Sequence, residues 1–217
     1  MKLVIGNKRY SSWSLRGWLA AKQSGLGFDE VVIPMDTPEF TAAKADPACM
    51  PSGKVPVLWD GGAPVWESLA IIDWLADRVG RARFWPEDDA ARALARSIAA
   101  EMHAGFIELR KACPMNTGRT YPSFALTPDV ERDIGRIDAL WREAIFGFGG
   151  KGGPFLFGAF GAADIMYAPV VTRFRTYDVP LSETSAAYVD AVLAHPFMRE
   201  WYAGAEAESW RLDRIEF

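Results

Sequence analysis

Tyr10-Ser11-Ser12-Trp13-Ser14-Leu15-Arg16 follows a short apolar run, Leu3-Val4-Ile5, and opens an amphipathic stretch, so two hydroxyls stand where a helix would begin. The free N–H groups of a helix N-terminus carry roughly half a positive charge and can hold a thiolate, carboxylate or phosphate without a metal. Ser11 and Ser12 are therefore candidate donors to an anion, and each is equally a good helix cap, a role serine fills without a ligand. Two later stretches extend the pattern. Lys54-Val55-Pro56-Val57-Leu58 sets a cation and a proline at the start of an apolar strand, and Glu67-Ser68-Leu69-Ala70-Ile71 sets a carboxylate and a hydroxyl at a second helix start. Ser68 and its N–H suit a ligand carboxylate and Glu67 suits an ammonium, although compensation of the helix dipole would also favour an acid there.

Such groups need elements to aim them. Residues 3–5 read as a strand, 12–24 as a helix closed by Gly25, and 30–33 as a second strand stopped by Pro34, which makes a βαβ unit. A short helix at 38–44 leads to a strand at 55–59, which Asp60-Gly61-Gly62 turns into a partner at 64–66, and Leu69, Ile72, Leu75 and Val79 then mark a helix face. Beyond Gly80 the pattern is helical throughout. Leu94, Ile98, Met102, Phe106, Leu109 and Cys113 recur every three or four residues and predict one long helix up to Pro114. Thr127-Pro128-Asp129 supplies a cap, a first-turn proline and a favourably placed acid for a helix striped by Val130, Ile134, Ile137, Trp141 and Ile145, with a glycine-rich break at 147–153. Helices at 164–175 and 185–194 follow, and His195-Pro196 starts a last one running through Trp201. The division expected is 1–80, a linker at 81–89, and an all-helical part at 90–217.

Composition narrows the partners. Half the residues are apolar and nine are Trp, as in an ordered, core-forming chain. With 24 basic against 28 acidic residues and no run of Lys or Arg, no nucleic-acid partner is expected. No apolar run reaches the length of a signal-peptide core or a membrane span, so a soluble cytoplasmic protein with no membrane partner is expected. Cys49 and Cys113 have no metal-ligand spacing, and both are expected to be reduced thiols in a protein without a metal site.

The βαβ-ββα unit and the helical half after it resemble the glutathione transferase family over essentially the whole chain. Its first motif most resembles the zeta class, in which Ser-Ser-Cys-Ser begins the first helix; Trp13 stands where that cysteine would be. The resemblance implies an α/β thioredoxin-like N-terminal domain followed by an all-α C-terminal domain, glutathione as co-substrate, and a homodimer. It makes Ser11 the donor to the glutathione thiolate, with Ser12 beside it and Ser14 a weaker candidate. It further implies a cis Val55-Pro56 peptide, with the Val55 backbone paired to the peptide part of glutathione. Lys54 either approaches a ligand carboxylate or is simply solvated. Glu67 would face the γ-glutamyl ammonium and Ser68 the γ-glutamyl carboxylate. The second-substrate pocket would draw on Trp13, Met102, His103, Phe106 and Arg110, with Arg175, or Arg173, for an acidic substrate; Asp164 is structural, bonding back to the N–H of Gly161.

The chemistry implied is activation of a thiol. Its pKa is about 8.5, and lowering it by two units needs about 2.7 kcal/mol, close to one charge-assisted hydrogen bond of about 1.5–3 kcal/mol. The expected function is therefore attack of glutathione on a small electrophile, by conjugation or isomerisation. The alternative is a non-catalytic glutathione-binding module, since one fold serves many functions. A thiol-disulfide oxidoreductase would need a cysteine at the first helix start, and residues 11–14 contain none. If Trp13 faces the ligand, its flat apolar wall should favour planar or apolar electrophiles over compact dicarboxylates.

Overall fold

The structure is a computed structural model that describes residues 1–149 and 152–216. Four short strands, β1 (Lys2–Ile5), β2 (Asp29–Val32), β3 (Val57–Asp60) and β4 (Ala63–Trp66), form one sheet in the order β2-β1-β3-β4. β1 and β2 are parallel because helix α1 (Ser12–Ser24) crosses between them, whereas β3 runs antiparallel to both β1 and β4. The β3–β4 turn is tight because Gly61 and Gly62 take φ of 57° and 93°, which side chains resist. The central strands supply the most buried residues of the sheet, Leu3, Val4, Ile5, Val57 and Leu58.

The two faces of the sheet are covered unequally. On one side pack α1, capped by Ser11 and closed by Gly25 in the left-handed conformation, and α3 (Ser68–Val79). On the other lies α2 (Pro38–Ala45), capped by Thr37, which buries none of its own residues over a small cluster of Val4, Met50 and Val57. At Gly17 the α1 backbone comes so close to Pro56 that a Cβ would lie 2.7 Å from the proline ring. This absence of a side chain sets the first helix directly against the start of β3.

The helical half comprises α4 (Asp89–Ala104), α5 (Ile107–Ala112), α6 (Pro128–Ala144), α7 (Ala162–Thr176), α8 (Glu183–Ala194) and α9 (Pro196–Ala207). The single long helix expected up to Pro114 is interrupted. Gly105 is extended, Phe106 takes a left-handed φ of 55°, and the helix restarts as α5, whose Leu109 N–H donates to the Asp133 carboxylate at 3.0 Å. Glycine is a weak helix former, and the apolar spacing across it is the same whether or not the backbone bends. α6 ends in a wider turn at Ile145–Gly149; residues 150–151 of the glycine-rich break lie outside the described residues. α7 is the central rod, with every residue except Arg175 buried. Asp164, in its first turn, accepts from Gly161 N–H at 2.9 Å, Leu156 N–H at 3.1 Å and the Tyr188 hydroxyl at 3.0 Å.

One apolar core runs from Leu3 through α1, α3, α4, α6 and α7 to Trp201 on α9, so sheet and helices share it. No described helix is long and apolar enough to cross a membrane.

Candidate active site

The loop between β1 and α1 delivers the first serines, and it is pinned from several sides. Asn7 Oδ1 accepts from Met35 N–H at 2.8 Å, and the Glu208 carboxylate accepts from Lys8 N–H at 2.6 Å and Arg9 N–H at 3.2 Å. Tyr10 donates its hydroxyl to Glu216 at 2.5 Å, and Trp201 Nε1 donates to Lys8 O at 3.0 Å. Thus fixed, the chain enters α1 with Ser11 as its cap: Ser11 Oγ accepts from Ser14 N–H at 3.2 Å and donates to Ser14 Oγ at 2.7 Å. Ser14 Oγ in turn accepts from Gly6 N–H at 2.9 Å. Ser12, at the first helical position, has no side-chain partner among the described residues.

A cleft of about 290 Å³ opens between the sheet half and α4–α5. Trp13, Ser52, Lys54, Val55 and Pro56 line one side, Glu67 the next, and His103 and Arg110 the helical side. The Val55-Pro56 bond is cis. Glu67 precedes α3 in the left-handed region, φ 69° and ψ 129°, a conformation costly for a residue with a side chain and found most often at functional sites. Its carboxylate lies 3.5 Å from His103 Nε2. Ser68 is turned differently from expectation: its hydroxyl is fully buried and donates to Met166 Sδ at 3.6 Å, so only its backbone N–H remains for a ligand carboxylate.

Trp13 faces the cleft with two guanidinium groups on its ring, Arg16 at 4.5 Å and Arg110 at 4.7 Å from the centroid, and its edge meets His103 at 5.2 Å. Arg16 is the unusual member. It is completely buried, Nε donates to Met166 O at 2.8 Å, and neither Nη1 nor Nη2 has a partner. Burial holds it well below the ordinary arginine range, and repulsion from Arg173 and Arg110 lowers it further. Burial also lowers Arg110, and with Arg110 nearby it pushes Arg173 down to about 10. Arg173, unlike Arg16, is bonded, with Nε donating to Cys113 O at 2.8 Å and Nη1 to Pro169 O at 3.2 Å. Burial lowers His103 below the usual histidine range; the Glu67 carboxylate pulls the other way, and Arg16 and Arg110 add to the lowering. His103 Nδ1 is buried without a partner, so the imidazole is neutral at pH 7.

The cleft thus brings together Trp13, Lys54, Val55, Pro56, Glu67, His103 and Arg110, with Ser11 and Ser12 at the adjoining helix start. Three residues expected in the pocket are elsewhere. Met102, on the apolar stripe of α4, and Phe106, at the break between α4 and α5, are buried in the core, and Arg175 is on the exposed side of α7, paired with Asp190. Arg16 and Ser52 escaped the sequence reading. For Arg16 there was a signal: it lies among Leu15, Trp18 and Leu19, a setting in which a charge is bound to be buried. Among the described residues no group of three His, Cys, Asp or Glu is placed to hold a metal.

The fold has recognisable relatives. The glutathione S-transferase N-terminal domain profile matches residues 10–78, and the C-terminal domain profile of the same family matches residues 69–204. The chain belongs to the glutathione S-transferase family. It is 27% identical over 161 residues to glutathione S-transferase L3 of Arabidopsis thaliana, a match covering 74% of this chain and 62% of that protein. It is 29% identical over 192 residues to glutathione S-transferase GstB of Escherichia coli, covering 85% of this chain and 77% of that one. Among solved structures it is similar to a bacterial maleyl pyruvate isomerase described as a zeta-class glutathione S-transferase, at 23% identity and a TM-score of 0.71, covering 97% of this chain and 100% of the other.

Proposed function

We propose that the protein is a zeta-like glutathione transferase that ionises the glutathione thiol at the start of α1 and directs it at a small electrophile bearing a carboxylate. Glutathione lies along Val55, with Glu67 on its γ-glutamyl ammonium, the Ser68 N–H on its γ-glutamyl carboxylate, and Lys54 at the cleft rim. The observation that carries the reading is the line Gly6 N–H, Ser14 Oγ, Ser11 Oγ, with contacts of 2.9 and 2.7 Å. A hydroxyl pair shares its protons in either direction. When a thiolate reaches Ser11, the order that suits every group is Gly6 to Ser14, Ser14 to Ser11, and Ser11 to sulfur. Aligned donors polarise one another, and the helix terminus adds to the same field. Ser11 is thus the donor to sulfur, Ser14 the residue that positions it, and Ser12 a neighbouring contact.

The second substrate enters over Trp13. Arg110 lines the cleft, and Arg16, buried against the Trp13 ring, adds a second positive charge from behind it, so an electrophile with a carboxylate is favoured. In a conjugate addition the thiolate sulfur bonds to the electrophilic carbon, and the electron pair of the double bond moves onto the acceptor oxygen. The two guanidinium groups lie where they lower the energy of that charge. Loss of glutathione after rotation about the new single bond gives isomerisation; protonation of the carbanion gives conjugation. These cations revise the reading of Trp13 as a purely apolar wall.

Titration calorimetry with glutathione on the native protein and Glu67→Ala tests the site: about tenfold or greater weakening is expected from loss of one charge-assisted contact, and equal affinities would remove the assignment. Product analysis with glutathione and maleylated acids or aryl halides then separates conjugation, isomerisation and binding without turnover. We also propose a homodimer, supported by the exposed Trp66 on the edge strand β4; sedimentation at micromolar concentration should give twice the 24.0 kDa chain mass.

A further inference from the structure

A second basin, of about 710 Å³, lies between the loop that follows α5 and one face of α9, and none of its lining residues lines the glutathione cleft. Arg199, Tyr202, Ala203 and Glu206 recur at helical spacing along α9 and form one wall; Thr117 to Thr120 form the other. Arg9 lines the basin between them. It is 8% exposed, Nη2 donates to Ala205 O at 3.3 Å, and Nε has no partner. Gly118 makes this possible: a Cβ there would lie 2.1 Å from Arg9 Nη1, so only a residue without one lets the guanidinium rest against the loop.

Among the lining residues Arg9, Arg119 and Arg199 stand against one acid, Glu206, while Glu208 lies beside Arg9 and Glu216 beside Arg119, in a chain whose net charge is −4. Arg119 is partly committed, donating Nε to Glu216 at 2.8 Å, whereas Arg199 has no ion pair among the described residues. Thr117 and Thr120 add hydroxyl donors. A buried guanidinium with an unsatisfied N–H, an exposed cation on the helix opposite and hydroxyls on the facing loop are the complement of a multivalent anion.

We propose that this basin binds a small oxyanion, phosphate- or polycarboxylate-bearing, at a site independent of the glutathione cleft. Calorimetric titration with inorganic phosphate, and separately with citrate, at constant ionic strength distinguishes the two sources of that chemistry. Saturable binding of at least one is expected in the native protein, unchanged when glutathione is saturating. It should weaken about tenfold or more in Arg199→Ala, which removes one charge-assisted contact from an exposed position and leaves glutathione affinity as it was. Gly118→Ala, which pushes Arg9 off the loop, should weaken it as well. If that variant fails to fold, Arg199→Ala alone decides. Absence of saturable binding by either anion, native affinity in Arg199→Ala, or displacement of the anion by glutathione would overturn the proposal.

Discussion

Asp164 and Arg16 are both shut away from solvent, 1% and 0% exposed, and both bond to backbone near α7, yet their surroundings treat them differently. Asp164 is met by two backbone N–H groups and the Tyr188 hydroxyl, so the carboxylate is an integral part of the turn it closes. Arg16 has one bond, to Met166 O, and two nitrogens with none. A buried charge that its own protein satisfies is structural. One left short of partners costs stability until something from outside supplies them, which is how a binding site differs from a scaffold.

The largest test of that contrast is Asp164→Ala, which strands three donors at once. Chemical denaturation should show a loss of about 3–5 kcal/mol, as when one side of a buried charged network is removed; a loss below about 1 kcal/mol would break the comparison. Burial also pushes the Asp164 carboxyl up to about 6 from the usual 3.8, despite its three hydrogen bonds. Between those values the unfolded chain releases this proton while the folded chain keeps it. The stability contributed by this group is therefore full below about pH 4 and declines as pH rises to about 6. Asp164→Asn should flatten that decline in melting curves recorded across the window.

Arg16→Met sharpens the other half. Removing a buried cation with two unpartnered nitrogens should leave the melting temperature unchanged or raise it, with a gain of up to about 3 kcal/mol, although the bond to Met166 is lost. For a carboxylated electrophile kcat/KM should fall about a hundredfold, while turnover of a neutral aryl halide changes little. A destabilised variant with both activities reduced equally would make Arg16 a scaffold residue after all.

Ser11→Ala should raise the pKa of bound glutathione by about one to two units, or roughly 1.4–2.7 kcal/mol, followed by thiolate absorbance against pH. Ser14→Ala should raise it by less, because it only polarises the donor. If Ser12→Ala gives the larger shift, the thiolate contact belongs one residue later. The smallest effect expected is Trp13→Leu, which removes two cation–π contacts of about 0.5–1 kcal/mol each and should raise KM for the carboxylated electrophile severalfold by freeing Arg110. No change in KM would mean the indole does not set the position of that guanidinium.

Elements governed by local rules were legible in the sequence. The caps Ser11 and Thr127, the stop at Gly25 and the turn at Gly61-Gly62 act within a few residues, and all are in place. The break at Gly105-Phe106 was not, because spacing of apolar residues is indifferent to a bend that keeps both segments on one core. The site divides in the same way. Trp13, Glu67 and the residues at 54–56 could be found because strand and helix boundaries place them. Met102, Phe106 and Arg175 could not be separated from His103 and Arg110, since which face of a helix looks into the cleft depends on what packs against it. Arg16 was hidden for the same reason: a lone cation among apolar neighbours announces burial but not its missing partner.

The loop before α1 has one further consequence, for the order in which the protein is made. Lys8 is bonded to Glu208 across 200 positions of sequence, and Tyr10 to Glu216 across 206. During synthesis Lys8 and Tyr10 leave the ribosome ahead of helices α1 to α9, whereas the carboxylates that fasten their loop follow only after those helices have been translated. A nascent chain can complete its sheet while Lys8 and Arg9 still lack these acceptors. The loop that carries Ser11 is therefore fastened late, and an incomplete polypeptide holds that serine without the contacts that fix its position.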